Sequence, residues 1–215
     1  MSISNITNSS DEKIASTRLY VKYMVSLRCK IIAKSELDAL ELKYSLSPHG
    51  AIEFDEEITE GQYDQLKKNL MSSGLVLLSE SNSMLIDKII TTIVEIIHYS
   101  DSLPKLNFRD LISSQTLSSD ESILKIFSDV KGMSILQFII IQKIERAKEL
   151  MLYEDHSLSE IADILNYKNK DYLLAQFKKV TGLSPSYFKR LRKERLKISE
   201  NRLKASQSNT AQASS

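Results

Sequence analysis

Apolar residues recur with two different periods along this chain. Residues 20–27, 42–47 and 51–58 resemble half-buried strands, and residues 75–79 form a short apolar strand. Residues 30–40 and 59–74, which lie between these runs, have helical spacing instead. From residue 84 onward the strand-like pattern is lost, and residues 84–100 form one strongly apolar helical segment. The change of period predicts a mixed N-terminal half followed by a helical half.

The order of these runs predicts the domain organisation. The order β-α-β-β-α-β is typical of the ferredoxin-like fold, so the fold class is α+β, with a small sheet-containing domain before an all-α domain. We expect a ferredoxin-like regulatory or interaction domain at residues 18–82, a connecting helix at 83–104 and a helical domain at 105–197. Residues 1–17 and 198–215 are rich in small polar residues and are expected to be disordered.

Helix starts of one chemical type are repeated in the second half. An Asn or Ser followed three residues later by Asp, Glu or Gln predicts a capping box, in which side-chain oxygens accept unpaired backbone N–H groups. Ser184-Pro185 adds a cap followed by proline at the first helical position. The capping boxes are Asn107-x-x-Asp110, Ser118-x-x-Glu121, Ser134-x-x-Gln137 and Ser157-x-x-Glu160.

Composition excludes several classes of protein. Five glycines and three prolines in 215 residues argue against an all-β sandwich, which needs many turns. A single cysteine excludes an intramolecular disulfide framework and fits a reducing cytoplasm. No secretory signal is visible at the start, and the longest apolar run, residues 139–141, is far too short to span a membrane. We therefore expect a cytoplasmic protein without membrane contact.

One helical face in residues 167–185 is basic. The formal net charge of the chain is only +1, but its basic residues are concentrated in residues 133–204. A solvated face is one explanation, and a helix that lies in a groove of nucleic acid is the other. Apolar residues at helical spacing occupy one side, and the other side carries Lys168, Asn169, Lys170, Asp171, Lys178 and Lys179.

The preceding residues complete a helix-turn-helix. A first helix is predicted from about Ser157 to Leu165, and a second begins near Asn169. Asn166 lies between them, where asparagine tolerates the left-handed conformation that such a turn needs. In this motif the second helix enters the major groove of DNA, and its N-terminal residues contact base edges.

Residues 105–193 resemble the DNA-binding domain of AraC-type (AraC/XylS) transcription regulators. The resemblance is strongest between Ile144 and Arg192, and it implies two helix-turn-helix units joined by a linker helix, here within residues 134–152. These units are expected in successive major grooves of double-stranded DNA. The residues that carry the resemblance are Glu145, Arg146, Ala147, Lys148, Glu160, Ile161, Ala162, Tyr172, Phe177, Lys178, Gly182, Ser184, Pro185 and Phe188.

The resemblance also assigns candidate DNA contacts. In the second unit, positions that reach bases or phosphates in the family correspond to Lys168, Lys170, Asp171, Leu174, Ala175 and Lys178, and Asn169 adds an amide at the helix start. The first unit, residues 106–132, is a poorer copy of the family pattern. Thr116 replaces the small or apolar residue that is usual at the turn, and Ser122 replaces the usual aromatic residue. Its candidates are Glu121, Leu124 and Lys125. Because carboxylates near phosphates are unfavourable, we expect the first unit to bind weakly or mainly to position the second.

The N-terminal half resembles heavy-metal-associated domains, which carry a G-M-x-C-x-x-C loop before the first helix. This chain has Met24-x-Ser26-x-x-Cys29, so serine replaces the first metal-binding cysteine. One thiol is a poor site for a soft metal, and Cys29 is the sole, weak candidate ligand. Two interpretations of Cys29 stay open: the neighbouring Arg28 and Lys30 lower its pKa and make the thiol reactive, or it is an inert cysteine at a helix start, which is the favoured interpretation. No metal or other cofactor is predicted, and the three histidines are widely scattered in sequence.

The leading hypothesis is a bacterial, sequence-specific transcription regulator that binds duplex DNA, with RNA polymerase as an open second partner. The alternative is a metal- or thiol-handling protein whose helical half is a protein-interaction module. Enzymatic activity is not expected, because the sequence has no glycine-rich phosphate loop and no paired catalytic carboxylate motif. The sequence leaves the operator, the effector and the oligomeric state undetermined.

Overall fold

The computed structural model describes residues 18–47, 49–101, 103, 120–154 and 156–212. The predicted disorder of residues 1–17 and the predicted helix starts at Asn107 and Ser118 lie outside these ranges. Contacts between α-carbons divide the described residues into two compact units. Among them, residues 18–93 group with those of 120–137, and residues 94–103 group with those from 138 onward.

The first unit contains a small antiparallel sheet with helices. Its elements follow the predicted order: β1 (Arg18–Lys22), α1 (Leu27–Ala39), β2 (Tyr44–Leu46), β3 (Ala51–Phe54), α2 (Glu60–Ser72) and β4 (Val76–Leu77). The strand order is β2-β3-β1-β4, and every neighbouring pair is antiparallel. The prediction of a mixed, mostly helical chain with a small sheet is confirmed.

The core of the first unit is built from alternate strand residues and from the inner faces of α1 and α2. Burial of these side chains is the main driving force that holds helices against a sheet. Thr59 caps α2 in a reciprocal capping box with Gln62. The buried core includes Leu19, Val21, Met24, Ala33, Leu37, Ile52, Phe54, Ile58, Leu66, Leu70, Leu75 and Leu77.

The first strand ends earlier than the alternation of residues 20–27 predicts. Tyr23 has φ 66°, a left-handed conformation that breaks extended structure. Ser26 then caps α1, so this helix begins at Leu27 rather than at residue 30. The pattern alone did not reveal the break, because apolar residues continue through it.

Helix α3 (Glu80–Tyr99) corresponds to the predicted connecting helix. Helix α4 (Asp120–Lys131) packs against β1 and belongs to the first unit. This grouping differs from the predicted domain boundary at residues 82 and 83, which placed residue 120 onward with the helical half. Because the capped helices of the second half are expected to enclose their own core, residues 83–197 are predicted to fold without residues 1–82, and this stays a prediction.

The remaining helices are α5 (Ile135–Tyr153), α6 (Leu158–Ile164), α7 (Lys170–Thr181) and α8 (Pro185–Gln212). Helix α8 starts at the predicted proline but extends to Gln212, where disorder was expected from residue 198. Between Ser186 and Ala205 the sequence has no Gly or Pro and many good helix formers, which explains the extension. Within the described residues, no helix is long and apolar enough to cross a membrane.

Candidate nucleic-acid interface

The turn between α6 and α7 has the predicted chemistry. Ser157 Oγ accepts the N–H of Glu160, and the Glu160 carboxylate accepts the N–H of Ser157 at 2.6 Å, which closes the capping box. Asn166 has φ 49°, as expected for the turn residue. The N–H of Tyr167 then donates to the carbonyl of Ala162 at 2.8 Å, which fixes the direction in which the chain enters α7.

Helix α7 is held by its cap and its inner face. Asn169 Oδ1 accepts the N–H of Tyr172 at 2.9 Å, so this predicted DNA-binding residue is the N-cap of the helix. Leu173 and Phe177 are completely buried, and α6 and α7 pack against each other. Val180, predicted on the same face, is partly exposed instead.

The opposite face of α7 is open. Half of Leu174 is buried, and the other candidate residues of this unit are exposed, which leaves one continuous polar surface. Asp171 lies in the first turn, where the helix dipole favours a carboxylate regardless of DNA. The exposed candidates are Lys168, Asn169, Lys170, Asp171, Ala175 and Lys178.

The lysines of this face are not held in ion pairs by the part of the protein that the structure describes. Among the residues that the structure describes, none forms an ion pair with Lys168, Lys170 or Lys178. Their ammonium groups are therefore available to an external anion. An exposed helix face with unneutralised lysines is the electrostatic arrangement that phosphate groups require.

The end of α7 is equally well defined. Gly182 adopts φ 71° and caps the helix, because its N–H donates to the carbonyl of Lys178. Helix α8 begins three residues later, and the ring of its Phe188 packs edge-on against Phe177 with centroids 5.2 Å apart. The recognition-type helix is thus supported from α6 on one side and from α8 on the other.

Helix α4 repeats the pattern of α7 fifty residues earlier. Gly132 and Gly182 have φ angles of 66° and 71°, and a serine stands two residues after each of them. Ile123 and Phe127 are buried at the positions of Leu173 and Phe177. The candidate residues Glu121, Leu124 and Lys125 of the first helix-turn-helix unit stand fifty residues before Asp171, Leu174 and Ala175, and the two glycines make this register visible in the sequence.

Two of the three candidate residues of the first helix-turn-helix unit differ from their equivalents on α7 in residue type. Lys125 is exposed and Leu124 is half-buried, while the side chain of Glu121 lies outside the described part of the chain. The first helix of this unit, before residue 120, is also outside it. Lys125 stands at the position of Ala175, and Ser128 stands at that of Lys178.

The C-terminal half of α4 contacts the sheet-containing part of the compact unit to which it belongs. The Asp129 carboxylate accepts from Lys22 Nζ at 3.3 Å, and its backbone carbonyl accepts the N–H of Tyr23 at 2.7 Å. Lys131 Nζ donates to the carbonyl of His49 at 2.7 Å. Burial, with a smaller contribution from nearby Lys30, lowers the pKa of Lys131 to about 8. This part of α4 is therefore engaged by protein groups, unlike the exposed end of α7.

A polar network connects helix α5 with the segment before α6. Arg146 Nη1 lies 3.3 Å from the Glu149 carboxylate and 3.2 Å from that of Glu154. His156 Nε2 lies 3.1 Å from Glu154, directly before the cap of α6. Arg146, one of the residues that carry the family resemblance, therefore positions the helix-turn-helix.

Cys29 lies in the first turn of α1. Its N–H donates to Ser26 Oγ at 3.2 Å, and the Ser26 hydroxyl donates to its sulfur at 3.1 Å. The hydrogen bond from Ser26 lowers the pKa of the thiol. A lowered pKa of Cys29 agrees with one of its two interpretations, but the main cause is the hydrogen bond from Ser26 rather than the charges of Arg28 and Lys30. Among the described residues, no group of three or more His, Cys, Asp or Glu side chains could hold a metal ion.

Comparison with known families finds a match that lies in the helical half of the chain. Residues 112–191 match the family model described as a helix-turn-helix domain. This range contains α7, its turn and the described part of the first unit. The predicted AraC-type resemblance is confirmed for these residues, whereas the heavy-metal-associated resemblance of the N-terminal half stays a prediction.

Two curated proteins of Bacillus subtilis strain 168 are similar to the same part. The uncharacterized transcriptional regulatory protein YesN is 30% identical over 89 residues, which are 40% of this chain and 24% of YesN. The bifunctional transcriptional activator/DNA repair enzyme AdaA is 24% identical over 92 residues, or 40% of this chain and 44% of AdaA. The chain therefore spans less than half the length of these relatives.

Among solved structures, the DNA-binding domain of the global transcriptional factor AdpA, in complex with a target DNA, is 19% identical to this chain. The match covers 51% of this chain and 94% of that domain, with a TM-score of 0.44.

Proposed function

From the AraC-type helix-turn-helix domain that this chain carries at residues 112–191, we propose that the protein is a sequence-specific transcription regulator that binds duplex DNA. Helix α7 is its principal reading element. The observation that carries the proposal is the exposed face of α7, whose lysines have no ion-pair partner among the described residues. A helix held on two sides with a basic third face has the form of a major-groove reader.

The residues of this face have separable roles. Lys168 and Lys178, at the two ends of the face, contact phosphates and supply affinity without reading sequence. Asp171 and Ala175 lie between them and face base edges, where a carboxylate accepts from cytosine N4 and a methyl group contacts the thymine methyl. Because Asn169 Oδ1 already caps the helix, Asn169→Ala would destabilise α7 itself and would not report a DNA contact.

The first helix-turn-helix unit contributes less to DNA affinity than the second. Its α4 presents Lys125 to solvent, but serine and aspartate occupy the positions of Lys178 and Lys179 in the repeated register. We infer that the two units occupy successive major grooves, with α4 positioned by the sheet-containing domain.

The N-terminal domain is proposed to be ferredoxin-like and regulatory. Its β-α-β-β-α-β order and its antiparallel strand order β2-β3-β1-β4 support that assignment. Since Ser26 replaces a metal-binding cysteine and hydrogen-bonds to Cys29 instead, a metal-handling role is disfavoured. We place the protein in the bacterial cytoplasm, with RNA polymerase as its second partner at the promoter.

Selection of duplexes from a random library by the full chain tests this function. A recovered motif is the expected result, and Asp171→Ala should change the bases tolerated within it by about 1–3 kcal/mol of discrimination per base pair. Lys125→Ala should weaken binding to the selected site less than Lys178→Ala does. Recovery of no motif, together with stoichiometric uptake of Cu(I) at Cys29, would favour the metal-handling alternative and contradict the proposal.

A further inference from the structure

Helix α8 continues well past the domain that the family model matches. The match ends at residue 191, whereas the helix continues to Gln212. At 1.5 Å per residue, the part after the match is about 30 Å long. Its first turns are anchored by the packing of Phe188 on Phe177, and Arg195 donates to the hydroxyl of Tyr153 at 3.0 Å. From Lys193 to Arg202 every residue is exposed.

One face of this helix carries a row of lysines. Lys189, Lys193 and Lys197 follow one another at i, i+4 and i+8, and all three are exposed. In the part of the chain that the structure describes, none of the three has a carboxylate within ion-pair distance. The nearby Glu194 lies 3.9 Å from Arg190 instead. We call these three residues the lysine row.

The lysine row lowers the stability of the helix that carries it. Like charges at i and i+4 destabilise a helix by about 0.2–0.5 kcal/mol per pair. An exposed helix without a packed apolar face is already marginal, since most helical stability in proteins comes from packing. A bound polyanion would remove the repulsion and stabilise the helix. The row therefore has the chemistry of a surface that is completed by a partner.

Duplex DNA matches this row in charge. The Cβ atoms of successive lysines are about 5–6 Å apart on the helix surface, and each strand of duplex DNA presents one phosphate per 3.4 Å of axis, so phosphates are dense enough for each long lysine side chain to reach one. The row also starts one residue after Phe188, whose ring contacts the buried face of α7. The lysine row therefore lies on a helix that follows α7 directly in the chain and packs against it through Phe188.

We propose that the lysine row binds the phosphate backbone of duplex DNA outside the bases read by α7. The inference rests on the proposed function, because it requires that α7 brings the domain to DNA. Backbone contacts of this kind raise affinity and steepen the salt dependence but do not read sequence. The row thus adds a sequence-independent clamp that begins within the matched helix-turn-helix domain at Lys189 and extends beyond it to Lys197.

The test compares two triple variants of the full chain with the same change in charge. Lys189→Gln/Lys193→Gln/Lys197→Gln neutralises the row, and Lys34→Gln/Lys68→Gln/Lys88→Gln neutralises three exposed lysines on α1, α2 and α3. Glutamine has a helix propensity close to that of lysine, so both variants should keep their helices, which circular dichroism verifies. Binding to a selected duplex and to a random duplex is measured over a salt series.

Neutralising the row should make the slope of log K against log[salt] less negative by about 2–3, in line with about 0.9 per phosphate contact. The ratio of affinities for the two duplexes should stay constant. The control triple should leave the slope unchanged, and a triple Lys→Arg variant of the row should retain it.

If the slope of log K against log[salt] is the same for the unaltered chain and the row variant, the inference is overturned, and α7 remains the DNA contact. The remaining class of partner for the lysine row would then be an acidic protein surface. Absence of duplex binding by the unaltered chain would instead contradict the proposed function, and the inference with it.

Discussion

Asp129 of α4 receives two hydrogen bonds from the end of β1: its carboxylate accepts from Lys22 Nζ at 3.3 Å, and its carbonyl accepts the N–H of Tyr23 at 2.7 Å. Both side chains of the ion pair are mostly buried, at 22% and 18% exposure. The pair therefore connects the sheet with a helix that is distant in sequence. At the equivalent position of the repeated register, Lys179 is exposed.

Asp129→Ala should lower the free energy of unfolding by about 1–2 kcal/mol, because it leaves the ammonium group of Lys22 without its partner in a mostly buried setting. Urea denaturation of the full chain measures this. Asp163→Ala, which removes an exposed aspartate, should change stability by less than about 0.5 kcal/mol. If the effects of Lys22→Ala and Asp129→Ala simply add in the double variant, the two residues do not interact as described.

The two repeated glycines provide a second comparison. Both have positive φ, so alanine at either position is strained and should cost about 1 kcal/mol. A Cβ at Gly182 would meet open space, but a Cβ at Gly132 would lie 2.7 Å from Val25 Cγ1. Gly132→Ala should therefore cost about 1 kcal/mol more than Gly182→Ala. Val25→Ala in the same chain removes Cγ1 but keeps Cβ, which is 3.2 Å from the added Cβ, so it should reduce this difference. Equal costs of the two glycine substitutions in the unaltered chain would contradict the close approach.

Lys131 predicts a specific dependence of stability on pH. Burial, and secondarily Lys30, lowers its folded-state pKa to about 8, below the usual value near 10.4 of an unfolded lysine. Between these values the unfolded state binds more protons, so this lysine makes stability rise with pH from about 8 to about 10. In Lys131→Met, that part of the rise should disappear. Unfolding free energies of both proteins over this range measure it, and parallel curves would contradict the lowered pKa.

Tyr167 has a buried hydroxyl that finds no hydrogen-bond partner among the described residues. Burial also raises the pKa of this residue to about 12. Tyr167→Phe should consequently be neutral or stabilise the protein by up to about 1 kcal/mol, since it removes an unsatisfied polar group. Tyr20→Phe is the matched change, because the Tyr20 hydroxyl donates to Asp87 at 2.9 Å, and it should destabilise by about 1 kcal/mol. The reverse order of stabilities would contradict this description of the turn.

Local chemistry explains which features were predictable from the sequence. The caps of α6 and α7 and the turn at Asn166 depend on side chains within a few residues, so their spacing is visible in the sequence. The alternation of apolar residues likewise predicted the order of strands and helices in the first unit. Residue types alone therefore located the helix-turn-helix and the lysines of α7.

Features that depend on distant contacts were not predictable in this way. The packing of α4 against β1 joins Lys22 to Asp129 across 107 positions, and neither residue belongs to a local pattern. The early end of β1 depends on a left-handed tyrosine, which propensity does not anticipate. Similarly, the continuation of α8 past residue 197 was not anticipated from its polar composition, although the residues up to Ala205 include many good helix formers.

Salt-dependent DNA binding by a charge variant of α7 tests the central claim most directly. Lys168→Gln/Lys178→Gln is compared with Lys68→Gln/Lys88→Gln, which removes the same charge from exposed positions on α2 and α3. With a selected duplex and a random duplex, the α7 variant should bind both more weakly, with a slope of log K against log[salt] less negative by about 2. The control variant should behave like the unaltered chain. Unchanged affinities and slopes for the α7 variant would show that this face is merely solvated and would contradict its role as the DNA-reading helix.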